Sequence, residues 1–232
     1  MGPKNAPESG PENGRENRRE SDVDVVADVV GDGVGDVVNV ALVVACTEAE
    51  GPGRRFALWV QGCPLRCPGC CNPEFLPFGG GEKRPVTDVI AAIDAARALG
   101  IEGVSLLGGE PTSQAAAMAR IAEASQGMGL SVMVYSGFTR EALTNRHDDD
   151  VDRLLAATDL LVDGPYVEAE RTTERRFIGS TNQVLHRLTA RALRPDPRLD
   201  EGNSIELRLT TDKSGAQVLT VNGWPLFGAN TR

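Results

Sequence analysis

Four of the chain's five cysteines fall within nine residues, in the stretch Gln61-Gly62-Cys63-Pro64-Leu65-Arg66-Cys67-Pro68-Gly69-Cys70-Cys71-Asn72-Pro73-Glu74. No other feature restricts the fold as strongly. The cysteines are odd in number and too tightly spaced to cross-link distant parts of a 232-residue chain, which argues against a disulfide framework. Cys63, Cys67 and Cys70 form a C-x3-C-x2-C array. Three thiolates on one loop hold three irons of a cubane cluster and leave the fourth open, whereas clusters that only carry electrons normally have four protein ligands. A zinc site is the competing reading. Cys71 would supply its fourth sulfur, but adjacent Cys70 and Cys71 fit tetrahedral coordination awkwardly, and His147 and His186 are distant in sequence. Gly62 and Gly69 allow the loop to turn tightly, Pro64 and Pro68 restrict it, and Arg54, Arg55 and Arg66 are expected to favour the thiolates.

The rest of the chain alternates between strand and helix patterns. Val37–Val44 and Phe56–Val60 read as strands separated by the turn Gly51-Pro52-Gly53, the second running into the cysteine loop. Cys46 ends the first run and is ordinary packing material. Gly79–Pro85 is expected to be a flexible connection. Thr87 offers an N-cap to a helix bearing Val89, Ile90, Ile93 and Ala96, stopped by Gly100. The strand Gly103–Leu107 follows and runs into Gly108-Gly109-Glu110-Pro111. A helix over Gln114–Gln126 leads to the strand Leu130–Tyr135, ending in Ser136-Gly137. Two helical pieces, Thr139–Leu143 and Val151–Ala157, precede Leu160–Val162, which ends in Asp163-Gly164-Pro165. Ligand sites of βα repeats gather at the C-terminal ends of their strands, where these words stand.

Later, Glu168–Arg176 reads as a solvated surface or mobile loop, Gly179–Ala190 as containing a short helix, and Leu193–Gly202 as a linker. Ile205–Leu209 and Gln217–Val221 alternate with period two and read as a hairpin. The expected organisation is an acidic, disordered tail over residues 1–36, a core domain over 37–193, and a linker with a β-hairpin extension packed on the core over 194–232. The aspartates at positions 22, 24, 28, 32 and 36 do not fit a calcium loop, because the Gly and closing Glu are missing at the required offsets.

The cysteine array, Gly51-Pro52-Gly53-Arg54, Leu58–Cys63 and Cys70–Glu74 resemble the radical S-adenosylmethionine enzymes, and among them the activating proteins of anaerobic ribonucleotide reductase. Gly108–Pro111, Tyr135–Gly137, Asp163–Pro165 and Gly179–Gln183 are similar to that family's later motifs in the same order. The likeness runs from about Val38 to Leu193. It implies an α/β fold, specifically an incomplete (β/α) barrel, with Cys63, Cys67 and Cys70 as metal ligands and catalytic centre of a [4Fe-4S] cluster. It also implies that the open iron binds S-adenosylmethionine, which an electron splits into methionine and a 5′-deoxyadenosyl radical that abstracts hydrogen. Gly108, Gly109 and Glu110 are implied to contact the methionine moiety, with Glu110 attracting the ammonium. Ser136 and Gly137 are implied to hold its ribose or carboxylate, and Asp163 to meet a ribose hydroxyl or the substrate. Cys71 and Ile178 depart from the family pattern, and Cys71 reads as inert, an oxidation liability or a spare hydrogen donor.

The implied partner is a glycyl radical enzyme, with flavodoxin or ferredoxin as electron donor. Two alternatives stay open: a maturase with the same chemistry acting on a peptide or small molecule, and a non-catalytic iron–sulfur or zinc protein. A net charge of −9 and a pI near 4.8 argue against nucleic acid or an anionic membrane as partner. No apolar run approaches the ~20 residues that span a bilayer, and the first residues lack the pattern of a signal peptide, so a cytoplasmic location is expected.

Overall fold

The computed structural model describes residues 36–211 and 215–223; most of the expected N-terminal tail lies outside them. The architecture is α/β, with nine strands and four α-helices among the described residues. The strands are β1 (Val37–Thr47), β2 (Arg55–Val60), β3 (Glu82–Pro85), β4 (Gly103–Gly108), β5 (Ser131–Tyr135), β6 (Leu160–Asp163), β7 (Val184–Arg187), β8 (Glu206–Thr211) and β9 (Gln217–Asn222). The helices are α1 (Val86–Ala96), α2 (Ala115–Gly127), α3 (Arg140–Thr144) and α4 (Asp149–Ala156). Seven strands form one sheet in the order β3-β1-β2-β4-β5-β6-β7, and β8 pairs with β9 apart from it. Neighbours from β2 through β6 run parallel, while β1, β3 and β7 are antiparallel to their partners.

Strand alternation gives the sheet two faces with different jobs. Phe56, Leu58, Val60, Val104, Leu106, Val132, Val134 and Leu161 point to one side, where they share a core with Val89 and Ile93 of α1, Met118 and Ile121 of α2, and Leu154 of α4. Helix α2 approaches closely because Ala117, Ala119 and Ala122 present small side chains to that core. Ala57, Trp59 and Leu107 point to the other side and pack with Val44, while Met133, Leu160 and Val162 pack there with Phe177 and Ile178. Thus the helices cover one face, and the opposite face is left to loops and a cavity.

At the edge where the parallel strands begin, Arg55 is wholly buried and its donors are satisfied by neutral oxygens. It donates to Ser105 Oγ at 2.7 Å, to Pro52 O and Ser131 Oγ, and to the carbonyls of Val104 and Ser131. Burial lowers its pKa to about 10, against the opposing pull of Tyr135, Asp159 and Glu102. Arg55 therefore clamps β2, β4 and β5 together and does not face the cysteine thiols, contrary to the expectation above. Six residues of strand, roughly 20 Å, lie between that edge and the cysteine loop.

Several local readings change. Glu82–Pro85 is a strand rather than a flexible connection, because Val37–Val40 offers it an unpaired edge; its charged residues suit an outermost strand. Helix α1 starts at Val86, with Pro85 rather than Thr87 at the N-cap, since the Val86 N–H is taken by Asp36 O at 2.8 Å. The helix expected within Gly179–Ala190 is strand β7. The Gln183 side chain accepts from the N–H groups of Gly179 and Ser180, closes the turn, and delivers Val184 to the open edge of β6. In the stretch expected to be solvated, the Arg176 side chain is buried, donating to Arg198 O and Glu48 O. The expected linker holds a 3-10 turn at Pro197–Leu199, where Arg198 bridges Asp196 and Glu102, each at 2.9 Å.

Candidate active site

The cysteine loop leaves the C-terminal end of β2 and closes on itself. Gly62 N–H donates to Phe75 O at 2.8 Å and Cys63 N–H to Leu76 O at 3.0 Å, while the Gln61 amide donates to the carbonyls of Glu74 and Pro77. Gly62 has φ +100°, a conformation open to glycine at little cost. Within the loop, Cys70 N–H donates to Cys67 O at 3.2 Å.

The turn after β4 is laced to this loop. Gly109 N–H donates to Val60 O at 2.7 Å and Glu110 N–H to Gly62 O at 2.8 Å. A Cβ on Gly108 would lie 2.2 Å from Val60 N, and one on Gly109 would lie 2.2 Å from Gly62 O. The missing side chains of these two glycines let two stretches of the chain's own backbone meet.

Glu110 is fully buried and fastens the next strand end to the same place. Its Oε1 accepts from Thr112 N–H, from Thr112 Oγ1 at 2.7 Å and from Ser136 Oγ at 3.0 Å; its Oε2 accepts the Gly137 N–H at 2.8 Å. Burial pushes the carboxyl pKa up, and the four donors oppose that shift. Three donors share Oε1, whereas Oε2 meets only one, so one of the two lone pairs of Oε2 is left for a further donor.

Cys63, Cys67, Cys70, Gly108, Gly109, Glu110, Ser136 and Gly137 all line one cavity of about 1290 Å3. Asp163 does not. Strand alternation turns its side chain away from the side where Val162 points, and its Oδ2 accepts the Arg140 N–H at 2.5 Å while lying 3.0 Å from His186 Nε2. Its carboxylate sits at the start of α3. Asn182 and Gln183 donate to Pro165 O and Gly164 O and brace the turn after β6.

Cys63 is buried, Cys67 and Cys70 partly so, and Cys71 exposed. Burial raises the Cys63 thiol pKa, while backbone N–H groups of Leu65 and Arg66 pull it back. The thiol of Cys71 hydrogen-bonds to Cys70, which lowers the pKa of Cys70 and raises that of Cys71. Among the described residues no three His, Cys, Asp or Glu side chains converge as a single-ion site requires. The donor set instead fits a cubane cluster, in which each of three sulfurs meets its own iron. The cavity walls suit such a group, being apolar at Trp59, Leu107 and Val162.

Among the other polar groups that line this cavity are Glu50, Tyr135 and Arg176, none of which received a role from the sequence. Burial raises the Glu50 carboxyl to about 7, against the pull of the Gly223 N–H, which it accepts at 2.7 Å. The Tyr135 hydroxyl is held well above its ordinary value by burial and by Glu50. Alternation along β5 places Tyr135 on the cavity face, but nothing local pairs Glu50 with a glycine 173 residues away.

A family model described as a 4Fe-4S single cluster domain matches residues 49–186, more than half of the chain. The chain is 30% identical over 146 residues to the anaerobic ribonucleoside-triphosphate reductase-activating protein of Vibrio cholerae, covering 60% of this chain and 92% of that one. It is 31% identical over 148 residues to the protein of that name from Salmonella typhimurium, with the same coverage. Similarity extends to the pyruvate formate-lyase-activating enzyme of Listeria monocytogenes, 33% over 123 residues, covering 49% of this chain and 47% of that one. No helix among the described residues is long and apolar enough to cross a membrane.

Proposed function

The chain belongs to the 4Fe-4S single cluster domain family of radical S-adenosylmethionine activases, and we propose that it generates a glycyl radical on a partner enzyme of the anaerobic ribonucleotide reductase kind. The observation that carries this reading is the convergence, in one cavity, of Cys63, Cys67 and Cys70 with the ends of β4 and β5. When bound, the [4Fe-4S] cluster supplies the electron that cleaves the C5′–S bond of S-adenosylmethionine, releasing methionine and a 5′-deoxyadenosyl radical that takes hydrogen from the partner's glycine.

In this reading the chain's own residues position and shield. Cys63, Cys67 and Cys70 provide three thiolates and leave room for a ligand beside them. Glu110 offers the remaining lone pair of Oε2 to the cofactor's ammonium, and its hold on Ser136 Oγ and Gly137 N–H sets the second rim that meets ribose or carboxylate. Trp59, Leu107 and Val162 keep water from the reacting atoms. The sheet is read as a partial barrel with helices outside and the reaction on the inner face, open where the strand order ends at β3 and β7. Flavodoxin or ferredoxin in the cytoplasm is the proposed electron source.

The test is anaerobic reconstitution with iron and sulfide, followed by reduction in the presence of S-adenosylmethionine and the reductase. Release of 5′-deoxyadenosine together with a glycyl radical signal in the partner, both lost in Cys67→Ala, is the expected result. An intact cofactor after reduction of a verified cluster overturns the reading.

A further inference from the structure

The matched family residues end at 186, whereas the β8–β9 hairpin spans Glu206–Asn222 and so lies beyond them. One side of this hairpin is pinned. Glu206 accepts from Thr47 Oγ1 and Glu48 N–H, each at 2.7 Å, Arg208 donates to Cys46 O, and Gly223 N–H donates to Glu50. Alternation puts Leu207 and Leu209 on the other side of β8, facing Val221 and Leu219 across the ladder. These four side chains are 63%, 68%, 51% and 59% exposed. Large aliphatic groups exposed together on one face mark a place where something docks.

The strip is continuous with the candidate active site. Ile205, Leu207, Leu219 and Val221 line the cavity that also holds Cys63, Cys67 and Cys70, while Leu209 extends the same face beyond the lining. We propose that this strip is the docking track for an extended segment of the partner polypeptide, the segment carrying the glycine, and that the hairpin decides which partner is accepted. The inference rests on the activase reading and deepens it.

The continuity selects the occupant. A free small molecule held at the cysteines has no use for an apolar face running outward past the cavity to Leu209. A second copy of this chain gains nothing from a strip that leads inward to the cysteines. A slim, extended main chain uses both ends of it. The hairpin also suits such a guest because the outer edges of β8 and β9 pair with no other described strand, leaving backbone donors and acceptors beside alternate apolar side chains.

The experiment measures glycyl radicals formed per 5′-deoxyadenosine released, using the reconstituted full chain and the anaerobic ribonucleoside-triphosphate reductase of the same organism. Leu209→Asp and Leu219→Asp are expected to lower this ratio by at least about tenfold and to raise the KM for the reductase. Thr210→Asp, on the opposite face, is expected to keep the ratio within about twofold. A ratio preserved in both Asp variants overturns the docking track and leaves the activase reading standing. So does a parallel loss of cofactor cleavage and radical formation, which would make the hairpin part of the cofactor pocket. A wild-type protein that cleaves the cofactor but puts no radical on the reductase overturns the activase reading itself, and the docking track with it.

Discussion

The carboxylate of Glu110, just past the end of β4, accepts the backbone N–H of Gly137, just past the end of β5, at 2.8 Å. Through this bond and its partner from Ser136 Oγ, a single buried side chain holds two adjacent strand ends in fixed relation beside the cysteine loop. Every group that meets Glu110 in the fold is a donor, which makes the site sensitive to changes that keep its shape and alter its hydrogen-bonding character.

Glu110→Gln tests that sensitivity. The amide retains one acceptor oxygen and turns an NH2 toward donors, leaving at least one buried donor unmatched at a cost of about 1–3 kcal/mol. The melting temperature of the apoprotein is expected to fall by roughly 3–10 °C. S-adenosylmethionine binding, read by calorimetry on the reconstituted protein, is expected to weaken more than it does in Thr112→Val, which takes one donor from Glu110 and one acceptor from Arg146.

Glu50 gives a pH signature. Its folded pKa of about 7 lies above the ordinary carboxyl value of 4.5, so the folded chain holds a proton that the unfolded chain releases between those values. The stabilisation is complete below about pH 4.5 and is lost as pH rises through about 7, by at most ~3 kcal/mol. Denaturant midpoints measured across this window are expected to decline for the wild type, and Glu50→Gln is expected to remove most of the decline. Parallel slopes for the two proteins would refute the assignment.

Cys70 and Cys71 are adjacent and hydrogen-bonded, yet the array spacing selects only the first as a ligand. Reconstituted Cys71→Ser is expected to keep the iron and sulfide content of the wild type, whereas Cys70→Ser loses the cluster absorbance. Equal losses would mean that Cys71 also binds iron.

Two glycines give opposite outcomes on replacement by alanine. At Gly109 the new Cβ would meet Gly62 O at 2.2 Å and Phe75 O at 2.8 Å, both backbone, so the variant must displace the cysteine loop. Cluster incorporation and thermal stability are both expected to fall. At Gly127, the last residue of α2, nothing lies within 4 Å of the added methyl, and the gain in helix propensity and loss of unfolded-state entropy are expected to stabilise the chain by ~0.5–1 kcal/mol. Chemical denaturation of the pair checks both.

The sequence by itself determined the cysteine array, the alternation of strand and helix, and the words closing three successive strands, because each of these is local. Val104, Leu106, Val132 and Val134 announce buried strands wherever they sit. What depended on distant partners was decided only by the tertiary structure. Glu82–Pro85 and Val184–Arg187 are strands because β1 and β6 present unpaired edges to them, not because their own residues favour extension. Asp163 and Glu110 look equivalent in the sequence, one acid at each strand end. Knowing which sheet face carries the helices separates them, sending Asp163 to the cap of α3 and leaving Glu110 in the cavity. Glu50 and the hairpin meet across more than 150 residues, a contact that backbone hydrogen bonding and burial create and no local pattern records.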